Sequence, residues 1–359
     1  MNEEKVLERL EKWKRGIKTG PLLLELWPTH RCNLHCKMCG TWIHREKTGN
    51  YDVVEEKRNE IDDSRILEII GEAKQLGVEE VLITGGGEPL MRKDVVIEAM
   101  RRVKEFGMYG NLNTNGTLFS KKDLEEIVEM GWDLIMFSID GVGKTHDWVR
   151  GMNGCFETLR RNLLLLKEIK QERATNLPRI SFNTVLTKFL LDELEELVKF
   201  AHEVGCNDIT LIPLIIFDQK IEKLKPEDDN KLKYKLKEGL SLANKLGIHT
   251  NFESLLGNSY EDLKEPLEKG KFENSPCYEP FLHILIKATG ETTACCMLEN
   301  SPENAKEKSL KEIWFGEYFE NMRKDFVRWK MPEECKNCVH SQFIRNMWIR
   351  EKLKTRTDS

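Results

Sequence analysis

VEEVLIT, residues 78–84, runs into GGGEP, residues 85–89, and then into DVVIEAMRRVKEFG, residues 94–107. The first block is short and apolar, as a buried strand is. The last spaces its apolar residues at a helical period and ends on Gly107. Glycine accepts the left-handed backbone that closes a helix, so the blocks read as strand, turn and helix. The same unit recurs along the chain. PLLLEL (21–26), YGNLNTN (109–115), DLIMFSID (133–140), RISFNTVL (179–186) and NDITLIPLI (207–215) have strand character. Between them lie helical stretches, among them SRILEIIGEAKQLG, KDLEEIVEMG and LDELEELVKFAHEVG, closing at Gly77, Gly131 and Gly205, with Gly247 later. Successive βα units imply parallel strands with right-handed crossovers, hence a doubly wound sheet or a barrel, complete or partial. In either, the residues that do chemistry gather at the carboxyl ends of the strands.

Composition narrows the setting. The chain has 359 residues, enough for a large core and more than one domain. Acidic residues number 61 and basic residues 56, a formal charge of -5, which argues against a general electrostatic grip on nucleic acid. No apolar run approaches a membrane span, and the start, MNEEKVLERLEKWKRG, lacks the apolar core of a signal peptide. Val6, Leu10, Trp13 and Ile17 recur at helical spacing, so residues 1–20 read as an amphipathic helix docked on the body of the protein. The expectation is a cytoplasmic protein without nucleic-acid or membrane partners. In a reducing compartment its ten cysteines are not a disulfide framework; they cluster, as metal ligands do.

CNLHCKMCG, residues 32–40, follows the first strand and carries Cys32, Cys36 and Cys39. Sites made only of thiolates usually have four ligands. A zinc ion would need a fourth, which His30, His35 or His44 could supply. A 4Fe–4S cluster on three thiolates would instead leave one iron open to a ligand. GGGEP follows the second strand, TNG (Thr114–Gly116) the third and SIDG, from Ser138, the fourth. All four motifs fall at one rim. A zinc staple has no need of that company, and neither has an iron–sulfur electron carrier.

C-x3-C-x2-C after a first strand, then GGEP, TNG and SIDG with a following Arg150, resembles the radical SAM superfamily across residues 20 to 215. The resemblance implies a partial (β/α)6 TIM-like barrel. It also implies a 4Fe–4S cluster on Cys32, Cys36 and Cys39 whose open iron is chelated by S-adenosylmethionine. Reductive cleavage then gives a 5′-deoxyadenosyl radical that abstracts hydrogen from the substrate; the protein orients and shields this chemistry. Gly86 and Gly87 would let backbone approach the methionine part, Glu88 would sit near its ammonium and Pro89 would stiffen the turn. Asn115 would face the same rim. Ser138 would bond the ligand, Arg150 would pair with its carboxylate and Met38 would pack by the adenine. Ordinary strand-end hydrogen bonding is the alternative for Ser138 and Asn115, and an ion pair for Arg150. Asp140 would brace the turn. Trp42, His44, Arg45, Asp218 and Gln219 are further residues near the rim, with loop and surface roles as the alternative.

After residue 256 the alternation stops. Cys277, Gly290 and Cys295, in the pattern C-x12-G-x4-C, are followed by Cys335 and Cys338 in CKNC. With the run SLKEIWFGE this resembles the SPASM domain or its shorter twitch form. It implies a small irregular iron–sulfur domain holding one auxiliary 4Fe–4S cluster on Cys277, Cys295, Cys335 and Cys338. A four-cysteine zinc site is the alternative, and Cys296 is an alternative ligand to Cys295. Cys155 and Cys206 read as isolated, buried and apolar in role. The expected organisation is an amino-terminal helix (1–20), a core barrel (21–256), the auxiliary domain (257–345) and a polar, frayed tail (346–359). A filled auxiliary cluster suits reactions that end by removing an electron from the substrate radical. Dehydrogenation of a small or sugar-like molecule is the first reading and oxidative maturation of a peptide the second. The low-potential electron would come from a flavodoxin- or ferredoxin-like partner.

Overall fold

The computed structural model describes residues 3–49, 53–216, 218–257, 277–338 and 340–357. Within them each of the six expected strands forms: β1 (Leu23–Leu26), β2 (Glu80–Ile83), β3 (Tyr109–Thr114), β4 (Leu134–Ser138), β5 (Arg179–Leu186) and β6 (Asp208–Pro213). Three short strands join them: β7 (His249–Thr250), β8 (His283–Ile286) and β9 (Thr292–Thr293). The sheet order is β7-β6-β5-β4-β3-β2-β1-β8-β9, with all pairs parallel except β8–β9. Helices fill the crossovers from β1 to β7. Among the described residues β7 and β9 are the sheet's edges, so the architecture is a partial TIM-like barrel.

Register explains which side faces the helices. Leu26, Ile83, Leu112, Ile135 and Ile180 are partners in one unbroken row across five strands, and all five are buried in the main core. The alternate row, Ser138, Asn183 and Thr210, is polar and lines the concave side. The period of two along each strand thus sorts an apolar shell from a polar interior. The glycines expected to close helices, Gly77, Gly107, Gly131, Gly205 and Gly247, all have positive φ.

Three expectations change. The region after residue 256 does not stand apart from the barrel sheet, because β8 pairs in parallel with β1 in the register Leu24↔Ile284 and Leu26↔Ile286. The stretch 258–276, where that region begins, lies outside the described residues. The segment expected to be a frayed polar tail belongs to a helix, His340–Thr357. Ile349 of that helix is fully buried against Val6, Leu10, Leu22 and Leu282, so contacts distant in sequence hold a polar stretch in place. The amino-terminal helix, Glu3–Lys14, docks on the same cluster through Val6 and Leu10, and Trp13 packs edge-on to Phe281. Ile17 lies beyond its end and is exposed.

Candidate active site

Cys32, Cys36 and Cys39 lie on the loop that leaves β1, all lining one cavity of about 300 Å³. The loop is fixed from several sides. Arg31 makes a two-pronged ion pair with the buried Glu60, at 2.9 and 3.0 Å. The N–H groups of His35 and Lys37 donate to the carbonyls of Arg150 and Val149. The GGGEP turn presses against the same loop: a Cβ on Gly87 would stand 2.2 Å from the Arg31 carbonyl oxygen, and one on Gly86 would strike the His30 ring. These glycines therefore admit the cysteine loop itself, in addition to lining the cavity.

Glu88 is buried at the mouth of β3. Its Oε1 accepts from the Leu90 N–H and the Thr114 hydroxyl, and its Oε2 from the Asn115 N–H at 2.7 Å. Burial raises its pKa and these donors oppose the rise. Pro89 opens the short helical turn that follows. Asn115 is engaged in strand-end bonding, donating to Asn33 and accepting from Thr117. Ser138 makes one long bond, 3.4 Å, to Asn113, and its hydroxyl lines the cavity. Met38 is partly buried and packs against the cysteine loop.

Arg150 ends the helix Lys144–Arg150. Its Nη2 lies 2.6 Å from the buried Asp140 carboxylate and its Nη1 points at Cys36 Sγ from 3.7 Å. Its Nε is buried without a partner among the described residues. Asp140 also accepts from the Val185 N–H, which ties β4 to β5. Burial pushes the Cys32 thiol up to about 12 and raises Cys36, the latter against the pull of Arg150. Such thiols stay protonated unless a metal centre takes them as thiolates, and the donor set fits a cluster held by sulfur.

Cys155 was expected to be isolated. It is fully buried but packs in one cluster with Cys36 and Leu34, its thiol 3.3 Å from Asp147 Oδ1. Cys206 is buried in the main core, as expected. Trp42 and Arg45 line the cavity. Arg45 is buried, bonded to the His30 carbonyl and paired with Glu56. The His44 carbonyl accepts from Thr48, and Asp218 caps the helix Gln219–Glu222 while pairing with Lys47. Of the histidines near the loop, His30 lies against the Gly86 turn and meets Trp27 edge-on, and His35 meets Trp42 at a tilt of 60°.

The second cysteine set also assembles. The electrostatic neighbours of Cys277 include Cys295 and Cys335, and those of Cys338 include Cys295 and Cys335. Burial pushes Cys335 and Cys338 up to about 12, so these thiols too need a metal centre to ionise. Cys295 is buried and Cys296 exposed, while Cys296 too has Cys338 among its electrostatic neighbours. Gly290 of the spacing pattern sits in the β8–β9 turn with φ of 88°, where a Cβ would strike Asn304.

One feature escaped the sequence reading. His283, on β8, is 1% exposed, with Nε2 3.2 Å from Glu25 and Nδ1 3.2 Å from Glu279. Burial opposes its charge, but the two carboxylates prevail and raise its pKa to about 9. Glu279 is lowered to about 2: burial opposes ionisation, and Arg345 and His283 outweigh it. Glu25 also accepts from Trp27 Nε1 at 2.7 Å. A buried chain of charges thus runs from β1 to the second cysteine set. The signal was a lone charged or basic residue inside each of two apolar strands, LLEL and HILI.

Barrel, rim motifs and two buried thiol sets define an iron–sulfur enzyme of the radical SAM class. The chain belongs to that superfamily: the family model described as the radical SAM superfamily matches residues 27–201, and that of an iron–sulfur cluster-binding domain, SPASM, matches 277–339. The two domains imply a 4Fe–4S cluster with S-adenosylmethionine, and an auxiliary cluster. The chain is 27% identical to the tungsten-containing aldehyde ferredoxin oxidoreductase cofactor-modifying protein of Pyrococcus furiosus, over 83% of this chain and 81% of that one. It is 26% identical to the AdoMet-dependent heme synthase of Methanosarcina barkeri, over 89% and 88%. Its fold matches the crystal structure of Streptococcus suis SuiB bound to S-adenosylmethionine, with a TM-score of 0.65 and 18% identity, over 92% of this chain and 75% of that one. No described helix is long and apolar enough to cross a membrane.

Proposed function

We propose that this protein is a radical SAM oxidoreductase that removes hydrogen and then an electron from a small molecule. The observation that carries this reading is the adjacency of the two thiol sets on one sheet. β1 leads into Cys32, and its parallel neighbour β8 lies between Cys277 and Cys295. Cys277 precedes β8 and Cys295 follows the antiparallel β9, so a substrate inside the barrel would have the radical source toward the carboxyl ends of the strands and an electron acceptor toward their amino ends. The bound cofactor and its cluster supply a 5′-deoxyadenosyl radical on one-electron reduction.

The chain's own residues take these roles. Cys32, Cys36 and Cys39 hold the SAM-binding cluster, and Cys277, Cys295, Cys335 and Cys338 hold the auxiliary one. Gly86, Gly87, Glu88 and Pro89 shape the methionine end of the cavity, with a lone pair of Glu88 Oε2 left for the ammonium. Ser138 and Asn115 face polar groups of the ligand, Met38 packs on the adenine, and Arg150 keeps Nε for the carboxylate while its other nitrogens serve Asp140 and Cys36. The concave row Ser138, Asn183 and Thr210 offers hydroxyls and an amide, which suits a neutral polar substrate. Two relatives matched over most of their length are named for modifying a cofactor and for making heme, which also supports a small molecule.

The test is anaerobic. After reconstitution the protein should hold about eight irons and no zinc. It should release 5′-deoxyadenosine from S-adenosylmethionine under dithionite. Absence of that cleavage in cluster-loaded protein overturns the radical assignment. About four irons with one zinc would remove the electron acceptor and turn the search to redox-neutral reactions.

A further inference from the structure

The outer side of the cysteine loop carries a surface that the chemistry above leaves unused. Lys37, between Cys36 and Cys39, is exposed, and its Nζ lies 4.8 Å from the centre of the Trp148 ring. Trp148 is 45% exposed and meets Phe189 edge-on at 4.8 Å. Lys188 reaches over Phe189 at 5.7 Å. Met152 is 42% exposed and Lys144 is exposed at the start of the same helix. The nearest acid on this helix, Asp147, is half-buried and accepts from the Gly154 and Phe156 N–H groups; Glu227 pairs with Lys188 at the rim. The result is an aromatic centre with a lysine rim on a chain whose formal charge is -5.

Position gives this surface its meaning. Trp148 faces out two residues before Arg150, which faces in toward Cys36. The loop and the helix end are joined by the Lys37 and His35 N–H groups. The surface therefore covers the cysteine loop with a single layer of side chains.

We propose that Lys37, Lys144, Trp148, Met152, Phe189 and Lys188 form the docking surface for a small acidic protein that delivers single electrons at low potential to the cysteine loop. The inference rests on the radical SAM reading above. The step is one electron: the carrier is oxidised by one, the cluster on Cys32, Cys36 and Cys39 is reduced by one, and no bond or proton changes. The overall negative charge of the chain would repel such a partner, so a local basic patch is what orients it. Exposed Trp flanked by cations supplies the anchor that a transient interface needs.

The probe is flavodoxin, an acidic one-electron carrier, titrated against the cluster-loaded protein at low and high salt. Wild-type binding should weaken as salt rises. The double variant Lys144→Glu/Lys188→Glu should bind about tenfold more weakly, as should Trp148→Ala. Cleavage of S-adenosylmethionine driven by reduced flavodoxin should fall in step, while dithionite-driven cleavage stays within about twofold of wild type. Unchanged binding in the variants, no binding by the wild type, or equal loss under both reductants would overturn the proposal. If dithionite also fails in the wild type, the radical assignment is what has failed, and the salt-dependent binding of the variants still decides the surface.

Discussion

Arg150 and Asp140 form the most consequential single pair in the barrel. Asp140 is fully buried and Arg150 largely so; burial raises the pKa of the carboxyl, and the guanidinium beside it pulls the other way. Breaking a buried pair leaves one charge uncompensated, at a cost of about 3–5 kcal/mol, whereas replacing both ends is often close to neutral. Arg150→Gln should therefore lower stability by about 3 kcal/mol in denaturant unfolding, and the double variant with Asp140→Asn should recover most of it. Additive losses would show that the two residues act separately. His283 makes a second prediction. Its folded pKa of about 9 lies above the ordinary histidine value of 6.5. Its charge therefore stabilises the fold fully below about pH 6.5, and that contribution is lost as pH rises through about 9. Stability measured from pH 6 to 10 should fall across that window in the wild type and much less in His283→Gln. The arginine was legible as a motif residue. The histidine was legible only as an oddity in an apolar strand, because its two carboxylates lie on β1 and beyond β8.

At the scale of elements, the GGGEP turn and the cysteine loop depend on each other. A Cβ on Gly87 would meet backbone, which cannot swing aside as a side chain can. Gly87→Ala should displace the loop, so that iron bound after reconstitution falls by about half, from about eight toward four. The auxiliary cluster's spectrum should persist. Full iron content would mean that the loop accommodates the methyl group. The β8–β9 hairpin makes a parallel case. Cys295 is buried with Cys277, Cys335 and Cys338, while Cys296 next to it is exposed. Cys295→Ser should lose the auxiliary cluster and Cys296→Ser should keep it, as read by iron count and by EPR of the reduced protein. The sequence left these two neighbours unresolved because spacing is measured along the chain, and the path of the bend and turn beyond β9 decides which thiol is buried.

Across the whole molecule, the two thiol sets share one sheet. That arrangement follows from β8 pairing beside β1, and it is reinforced where the amino-terminal helix and the helix His340–Thr357 meet over Leu22 and Leu282. The six strands, their parallel order, the glycine-closed helices and both cysteine patterns could be read from the sequence, because periodicity, turn chemistry and ligand spacing are local properties of the chain. Three features could not. The return of β8 to β1, the burial of Ile349 in a stretch that reads as polar, and the chain Glu25–His283–Glu279 all join residues more than 250 positions apart or across separate elements. Such contacts are fixed by which surfaces remain to be covered once the local elements have formed. The sequence determined that this protein places a three-cysteine loop and its companion motifs at one rim of a βα fold. The tertiary structure alone decided that the second thiol set would stand toward the amino ends of the strands whose carboxyl ends carry that rim, since only packing brings the last quarter of the chain onto the edge of its first strand.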